Sequence, residues 1–342
     1  MKLKALAALS CAAMMMFSFA GCSTPANAGK VGETDIPSGL YLLMQLNAYE
    51  DAASKVEDAS KPVLKQTIDE TPAEEWINQK TVENVQRYAG ILALSEEHNI
   101  TLSEEDEEMI ATALEHQWNL YEPHYTQNGI GKETLKKGLE SEQKSALLLD
   151  AIYGKTGTEA VSESDLNAYI EKNFADISFF SLPAMTPDYK FADETQKEEL
   201  KKEAENAKTR LEQGEDMETV AQDSVKKAYE ILGASMPALE GSLVENSTVS
   251  LINNTESELL KAVFDTEKDK FGTAMDSSGL GVIVFQRQEL KNKDEVSEAA
   301  LFSMKNDELN QRLVKKGEEL GTNLDESARK ALSVKNIKDV VA

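Results

Sequence analysis

Few residues in this chain are placed to do chemistry. The three histidines are His98, His116 and His124. His116 and His124 stand eight apart with Pro123 between them, not at the i, i+4 spacing that sets two imidazoles on one helix face around zinc. Asp265, Glu267, Asp269 and Asp276 fall at the first, third, fifth and twelfth places of a calcium-type loop. The sixth place, where the sharp turn needs Gly, holds Lys270, and Lys268 adds a second cation. No metal and no cofactor is therefore expected. Two cysteines, Cys11 and Cys22, exclude a disulfide framework and a Cys-rich zinc site. Nucleophile elbow, phosphate-binding glycine loop and dinucleotide fingerprint are all missing from the sequence. Gly279-Leu280-Gly281 is a lone fragment that reads as a turn into a strand. No catalytic residue is assigned.

One cysteine has a chemical context. Lys2 and Lys4 open the chain, and Ala5 to Ala20 is apolar except for Ser10 and Ser18. That run is shorter than the roughly 20 residues a spanning helix needs. A basic start, an apolar run and a small-residue end make a secretory signal peptide, residues 1–21. Its end, Phe19-Ala20-Gly21-Cys22, resembles the bacterial lipobox, with Phe19 where Leu is usual. The resemblance implies cleavage before Cys22 and lipidation of Cys22. The small and turn-favouring residues that follow read as a tether over 22–35.

Composition narrows the function classes. The chain has 342 residues, 36 Lys+Arg, 61 Asp+Glu and a formal net charge of −25. Such a balance excludes nucleic acid as a partner, because phosphates demand compensating cations. It also opposes electrostatic adhesion to anionic lipid. Apolar residues at 41 % suffice for a sizeable core.

The periodicity predicts helices first. One begins at Ser38, with Leu40, Leu43 and Met44 on its apolar side; a longer one runs from about Pro72 to His98, with Val82, Val85, Ala89 and Leu92 on one face. Ser103 with Asp106 forms a capping-box start for the next, whose apolar side is Ile110, Ala113, Leu114 and Trp118. Lys132 to Tyr153 is a fourth, carrying Leu135, Leu139, Ala146 and Leu149, and Ser162 with Asp165 starts a fifth. The character then changes. Ile177 to Leu182 reads as a strand. Asp193 to Gln213 reads as a helix with a buried stripe of Leu200, Ala204, Ala207 and Leu211, supported by a Glu198–Lys202 pair. Shorter helices are expected around Met217–Ala221 and Glu256–Phe264, then a strand at Gly281–Phe285. From Glu295 the pattern is helical again, with Leu301, Met304, Leu309, Leu313 and Leu320. The fold class is α+β, mostly α. Expected domains are helical over 36–175, α+β over 176–290, and helical again over 291–342, the last completing the first.

This order resembles the PrsA/SurA family of extracytoplasmic foldases. The resemblance is carried by Glu83 to Ala89 through Ile100 to Glu105, by Val161-Ser162-Glu163-Ser164-Asp165-Leu166 with Tyr169, by Ala204 to Leu211 with Gln213-Gly214-Glu215-Asp216-Met217, and by Leu259 to Phe264. It implies a helical chaperone domain interrupted by a parvulin-like peptidyl-prolyl isomerase domain. Active parvulins carry a His in the first strand and another in the last. Here the matching positions read as Phe179 and Gly281, and the Gly-Gly-x-Leu-Gly loop is replaced by Leu239-Glu240-Gly241-Ser242-Leu243. The implied domain keeps a fold and lacks the usual polar site.

The function read from the sequence is a lipid-anchored, extracytoplasmic chaperone on a bacterial cell membrane. Its partners would be unfolded or partly folded exported proteins, without isomerase catalysis. The alternatives are an active peptidyl-prolyl isomerase and a non-catalytic surface-binding or scaffold lipoprotein. Expressed in a bacterium that processes lipoproteins, the wild-type chain should label with a fatty-acid probe and partition into detergent. Cys22→Ala should do neither; equal labelling of the two would remove the anchor.

Overall fold

A computed structural model describes residues 25–238, 241–252, 257–276 and 278–338. The signal segment 1–21 and the lipidation candidate Cys22 lie outside the described residues. Strands β1 (Asn27–Val31) and β2 (Thr34–Pro37) precede α1 (Ser38–Lys55). The two-residue strands β3 (Thr67–Ile68) and β4 (Thr71–Pro72) lead into α2 (Ala73–Glu97), α3 (Glu104–Gln127), α4 (Lys132–Tyr153) and α5 (Glu163–Asn173). Then come β5 (Phe174–Pro183), α6 (Glu194–Glu212), α7 (Met217–Ile231), β6 (Glu245–Ser250), α8 (Glu258–Asp265), β7 (Phe271–Met275) and β8 (Gly281–Gln288). The last elements are α9 (Asp294–Leu320), β9 (Thr322–Leu324), α10 (Glu326–Ala331) and a single 3-10 turn at Val334–Asn336. The chain is mostly helical with small sheets, an α+β fold as read from the sequence. Among the described residues no helix is long and apolar enough to cross a membrane.

The chain divides into two compact units: the described parts of Met1–Leu148 with Leu309–Ala342, and Leu149–Glu308. In the first, β1 is central in an antiparallel sheet of order β2-β1-β9. Residues 27–35 were expected as tether and instead form most of a hairpin. The reason is burial: Ala28, Val31 and Ile36 join Leu40, Tyr41, Val85, Ala89 and Leu332 in one cluster. Gly29 at φ 136° is required there, because a Cβ would lie 2.4 Å from the Asn323 carbonyl oxygen of β9.

The helices follow their caps. Ser103 accepts from the Asp106 amide while the Asp106 carboxylate accepts from the Ser103 amide. Asp106 also takes a 2.6 Å bond from Gln143 Nε2, which ties α3 to α4. Val85 and Ala89 of α2 are buried, but Val82 and Leu92 are only half-buried. On α4 Leu135 and Leu149 are buried as expected, Leu139 is half-buried and Ala146 exposed, and Ser141, Ser145 and Leu148 take further inward places. Small residues let α1 approach α4 closely; a Cβ on Gly138 would come 2.9 Å from Leu43 Cδ2. Leu309 and Leu313, on the returning half of α9, are buried as expected, whereas Leu320 is 37 % exposed. Here α9 meets α2 almost backbone to backbone. A Cβ on Gly90 would lie 1.9 Å from the Leu313 carbonyl oxygen, and one on Gly317 would lie 2.0 Å from that of Gln86. Arg87 braces the same junction, bonding Asn310 at 2.8 Å and Glu142 at 2.6 Å.

The second unit is built on an antiparallel sheet of order β6-β5-β8-β7. Its register pairs Phe180 with Val284 and Leu182 with Val282. The pleat turns these four to one face, where α6 and α7 cover them through Leu200, Ala204, Ala207, Leu211, Val220 and Val225. The stripe on α6 is the one predicted. Asp193 and Gln196 cap it reciprocally, and Gly214, just past its end, takes φ 91°. Glu198 pairs with Lys201 at 2.9 Å rather than with Lys202, so the support is i, i+3. Ile170 of α5 packs with Phe174, Leu290, Val296 and Ala300, so α5 and the start of α9 group with this unit.

Gly90→Ala tests the α2–α9 junction. Alanine favours an exposed helix by about 1 kcal/mol, but overpacking a filled junction costs about 1–3 kcal/mol. The variant should therefore melt below wild type in a circular-dichroism scan. A raised melting temperature would show that the two backbones are not in contact.

Candidate functional site

The strand positions expected to carry parvulin imidazoles lie on the sheet face away from α6 and α7. Phe179, Ser181 and Pro183 of β5 share that face with Phe285, Ile283 and Gly281 of β8, their register partners. Phe179 stands opposite Phe285, inside an apolar cluster with Ala175, Ile177, Val263 and Ile283 that α8 covers. Arg287 closes that end, donating from Nη1 to the Phe264 and Thr266 carbonyls and stacking 5.2 Å from the Phe264 ring centroid. Phe179 and Gly281 are therefore not neighbours.

The neighbour of Gly281 is Ser181. A Cβ on Gly281 would lie 2.5 Å from Ser181 Oγ and 2.9 Å from the Leu182 carbonyl oxygen. No side chain fits at 281 without displacing Ser181. Ser181 is exposed, and its hydroxyl is the one side-chain donor that this pair of positions supplies. Phe179 and Gly281, the positions read as matching the two parvulin histidines, thus stand apart on one face: Gly281 is in register with Pro183, and Ser181 is its diagonal neighbour.

The loop that replaces the glycine-rich motif is anchored by Glu218 of α7. Its carboxylate accepts from Ser242 Oγ and from the amides of Leu243 at 3.0 Å and Val244 at 3.3 Å. The Ser242 hydroxyl and then the Leu243 amide hold the Glu218 carboxyl below its ordinary range. Leu239 and Glu240 of this loop lie outside the described residues.

The histidines and acids take no part in such a site. His98 caps α2, His116 is exposed on α3, and His124 Nε2 lies 3.2 Å from Glu50. β7 separates Asp276 from Asp265, Glu267 and Asp269, and Lys268 pairs with Glu289 at 2.5 Å. Among the described residues no group of three His, Cys, Asp or Glu is placed to hold a metal ion.

A second candidate lies on α3. Asp106, Ile110 and Leu114 are its only buried residues. The same stripe continues through Trp118, Tyr121 and Tyr125 at helical spacing. Trp118 and Tyr125 stack at 6.2 Å, half-buried against Leu43, Leu46 and Ile130. Tyr121 is 52 % exposed and meets Tyr125 edge-on; Leu120 beside it is 57 % exposed, and Met109, about 18 Å back along the helix, is 50 % exposed. An apolar stripe that begins as core thus runs out onto the surface.

Solved structures of PrsA foldases are similar to this chain. One from Streptococcus pneumoniae is 12 % identical over 77 % of this chain and 95 % of its own, with a TM-score of 0.40. One from Lactococcus lactis is 11 % identical over 91 % of this chain and 99 % of its own, with a TM-score of 0.36. A Bacillus cereus structure titled peptidylprolyl isomerase (PrsA) is 14 % identical over 78 % and 95 %, with a TM-score of 0.30. No family model matches the chain, and no curated protein does.

Rotation about an X–Pro bond faces a barrier of about 18–20 kcal/mol, and a single exposed hydroxyl offers little to lower it. Purified chain 23–342 should leave the isomerisation rate of a proline tetrapeptide near its uncatalysed value. Turnover that disappears in Ser181→Ala would assign the hydroxyl to an active site and overturn the degenerate reading.

Proposed function

We propose that this protein is a membrane-anchored extracytoplasmic chaperone that assists the folding of exported proteins without isomerase catalysis. The observation that carries the reading is the surface of α3. Leu120 and Tyr121, and Met109 further back, stand exposed on a helix whose first turns carry a run of carboxylates, with Glu115 and Glu122 nearer the aromatic end. Apolar side chains held on a rigid helix can cover the apolar segments of an unfolded chain, at roughly 25 cal/mol per Å² removed from water. The flanking acids favour clients with cationic segments, and a net charge of −25 limits self-association. Contacts of this kind are broad rather than selective. Positions 181 and 281, with one hydroxyl and no imidazole, support binding without covalent or proton-transfer chemistry. Gly21-Cys22 supports a lipid anchor, hence the location.

The test is aggregation of a reduced, unfolded model protein followed by light scattering. The chain 23–342 should suppress it at comparable molar ratio. Leu120→Asp with Tyr121→Asp should lose most of that suppression while keeping the wild-type melting temperature, because both side chains are surface groups. Unchanged suppression in the double variant would move the client surface elsewhere. No suppression by the wild-type chain would leave the scaffold alternative.

A further inference from the structure

We infer that segment 333–338 occupies a peptide-reading groove of the first unit, in the manner of a bound ligand. The segment follows α10, makes the 3-10 turn Val334–Asn336, and is held by the side chains of Val334 and Ile337 and by the backbone of Lys338. The Asn128 side-chain amide, at the end of α3, makes both bonds an extended peptide can offer: Lys338 N–H donates to Oδ1 at 2.9 Å, and Nδ2 donates to the Lys338 carbonyl at 3.1 Å. A third bond, from Nδ2 to the His124 carbonyl at 2.9 Å, fixes the orientation of the amide. Paired bonds from one side chain to a single residue's N–H and C=O read the peptide backbone and ignore its sequence.

Side chains on either side are read by shape. Val334 is buried among Ala48, Tyr49, Ala52 and Ile77. Ile337 packs where that cluster and the one containing Leu43, Leu46 and Leu114 both reach it. The pattern is therefore an aliphatic residue, two of any kind, a second aliphatic residue and then the residue clamped by Asn128. Lys335 and Asn336, the two between, are exposed; Lys335 makes a surface ion pair with Glu74 at 2.9 Å, and Asn336 Nδ2 donates to the Ala331 carbonyl at 3.2 Å.

The groove holds more recognition chemistry than the segment uses. A cavity of about 390 Å³ lies between the segment and α1, bounded by Leu42, Gln45, Leu46, Asn128, Leu332 and Ile337. Gln45 is 1 % exposed, yet neither its Oε1 nor its Nε2 has a hydrogen-bond partner. A buried amide with a donor and an acceptor both unmatched is costly. An occupant that fills the cavity with backbone of its own would satisfy both atoms. The fitting ligand is a short peptide that takes one 3-10 turn, which sets two aliphatic side chains three residues apart on one face. Unfolded clients carry many such stretches, so this inference rests on the chaperone reading. Segment 333–338 would then be the resident that a client displaces.

The test uses the full chain 23–342 and a fluorescein-labelled, terminally blocked peptide of the sequence Ser333–Lys338, followed by anisotropy. Ile337→Asp weakens the resident's hold and should bind the peptide at least about tenfold more tightly than wild type, since apparent affinity rises with the fraction of open groove. Adding Asn128→Ala should abolish that gain. In the wild-type chain, excess peptide should speed hydrogen exchange at the Lys338 amide and leave the amides of α1 unchanged. This measurement needs no substitution, so it decides the matter even where a variant folds poorly. No acceleration at Lys338, or a gain that survives Asn128→Ala, would overturn the inference. If wild-type chain still suppresses aggregation in that case, the chaperone reading stands without it. Peptide exchange with no suppression would uphold the groove and remove the chaperone reading.

Discussion

The first unit depends on a backbone contact between chain segments more than two hundred residues apart. Gly90 of α2 lies under the Leu313 carbonyl of α9, and Gly317 of α9 lies under that of Gln86. No other residue type permits so close an approach. The approach in turn brings Leu309 and Leu313 into the core and Arg87 within reach of both Asn310 and Glu142. It also delivers β9 to the edge of β1. Closing the intervening residues into a loop costs chain entropy, but that cost rises only by about 0.6 kcal/mol per doubling of length. A whole second unit can therefore sit between the two halves of the first, provided the junction is tight.

The second unit shows the converse economy. Its sheet is fully determined on the face under α6 and α7, where four strand side chains meet two helices. The opposite face carries less constraint. Part of it is filled by aromatic and aliphatic groups under α8, and the end bearing Ser181 and Gly281 is bare of large side chains.

Local signals were the legible part of the sequence. The reciprocal cap of Ser103 and Asp106, the Ser162 cap and the stripe Leu200, Ala204, Ala207, Leu211 all lie within a few turns of one helix, and each recurs in the structure. The unread parts all needed a distant partner. β1 and β9 are short and largely polar, so only their pairing reveals them as strands. Ser141 and Ser145 take inward places on α4, which an apolar count assigns to Ala146. In the candidate site the strands were legible from composition, but their register, set by both strands together, is what separates Phe179 from Gly281 along the sheet. On α3 Trp118 was legible on the apolar side, and the way Tyr121 and Tyr125 carry that side out to the surface could be read only in three dimensions.

The hairpin at Asn27 sets a distance. Only four residues separate Cys22 from the first residue of β1. Fully stretched, five steps of the chain reach about 18 Å. A lipid on Cys22 would hold the small sheet of the first unit within a bilayer's half-thickness of the headgroups, a leash shorter than the unit it restrains. A body of this charge so close to an anionic leaflet is pushed outward while its leash pulls inward, so it would stand off the surface with its leash taut rather than lie down on it.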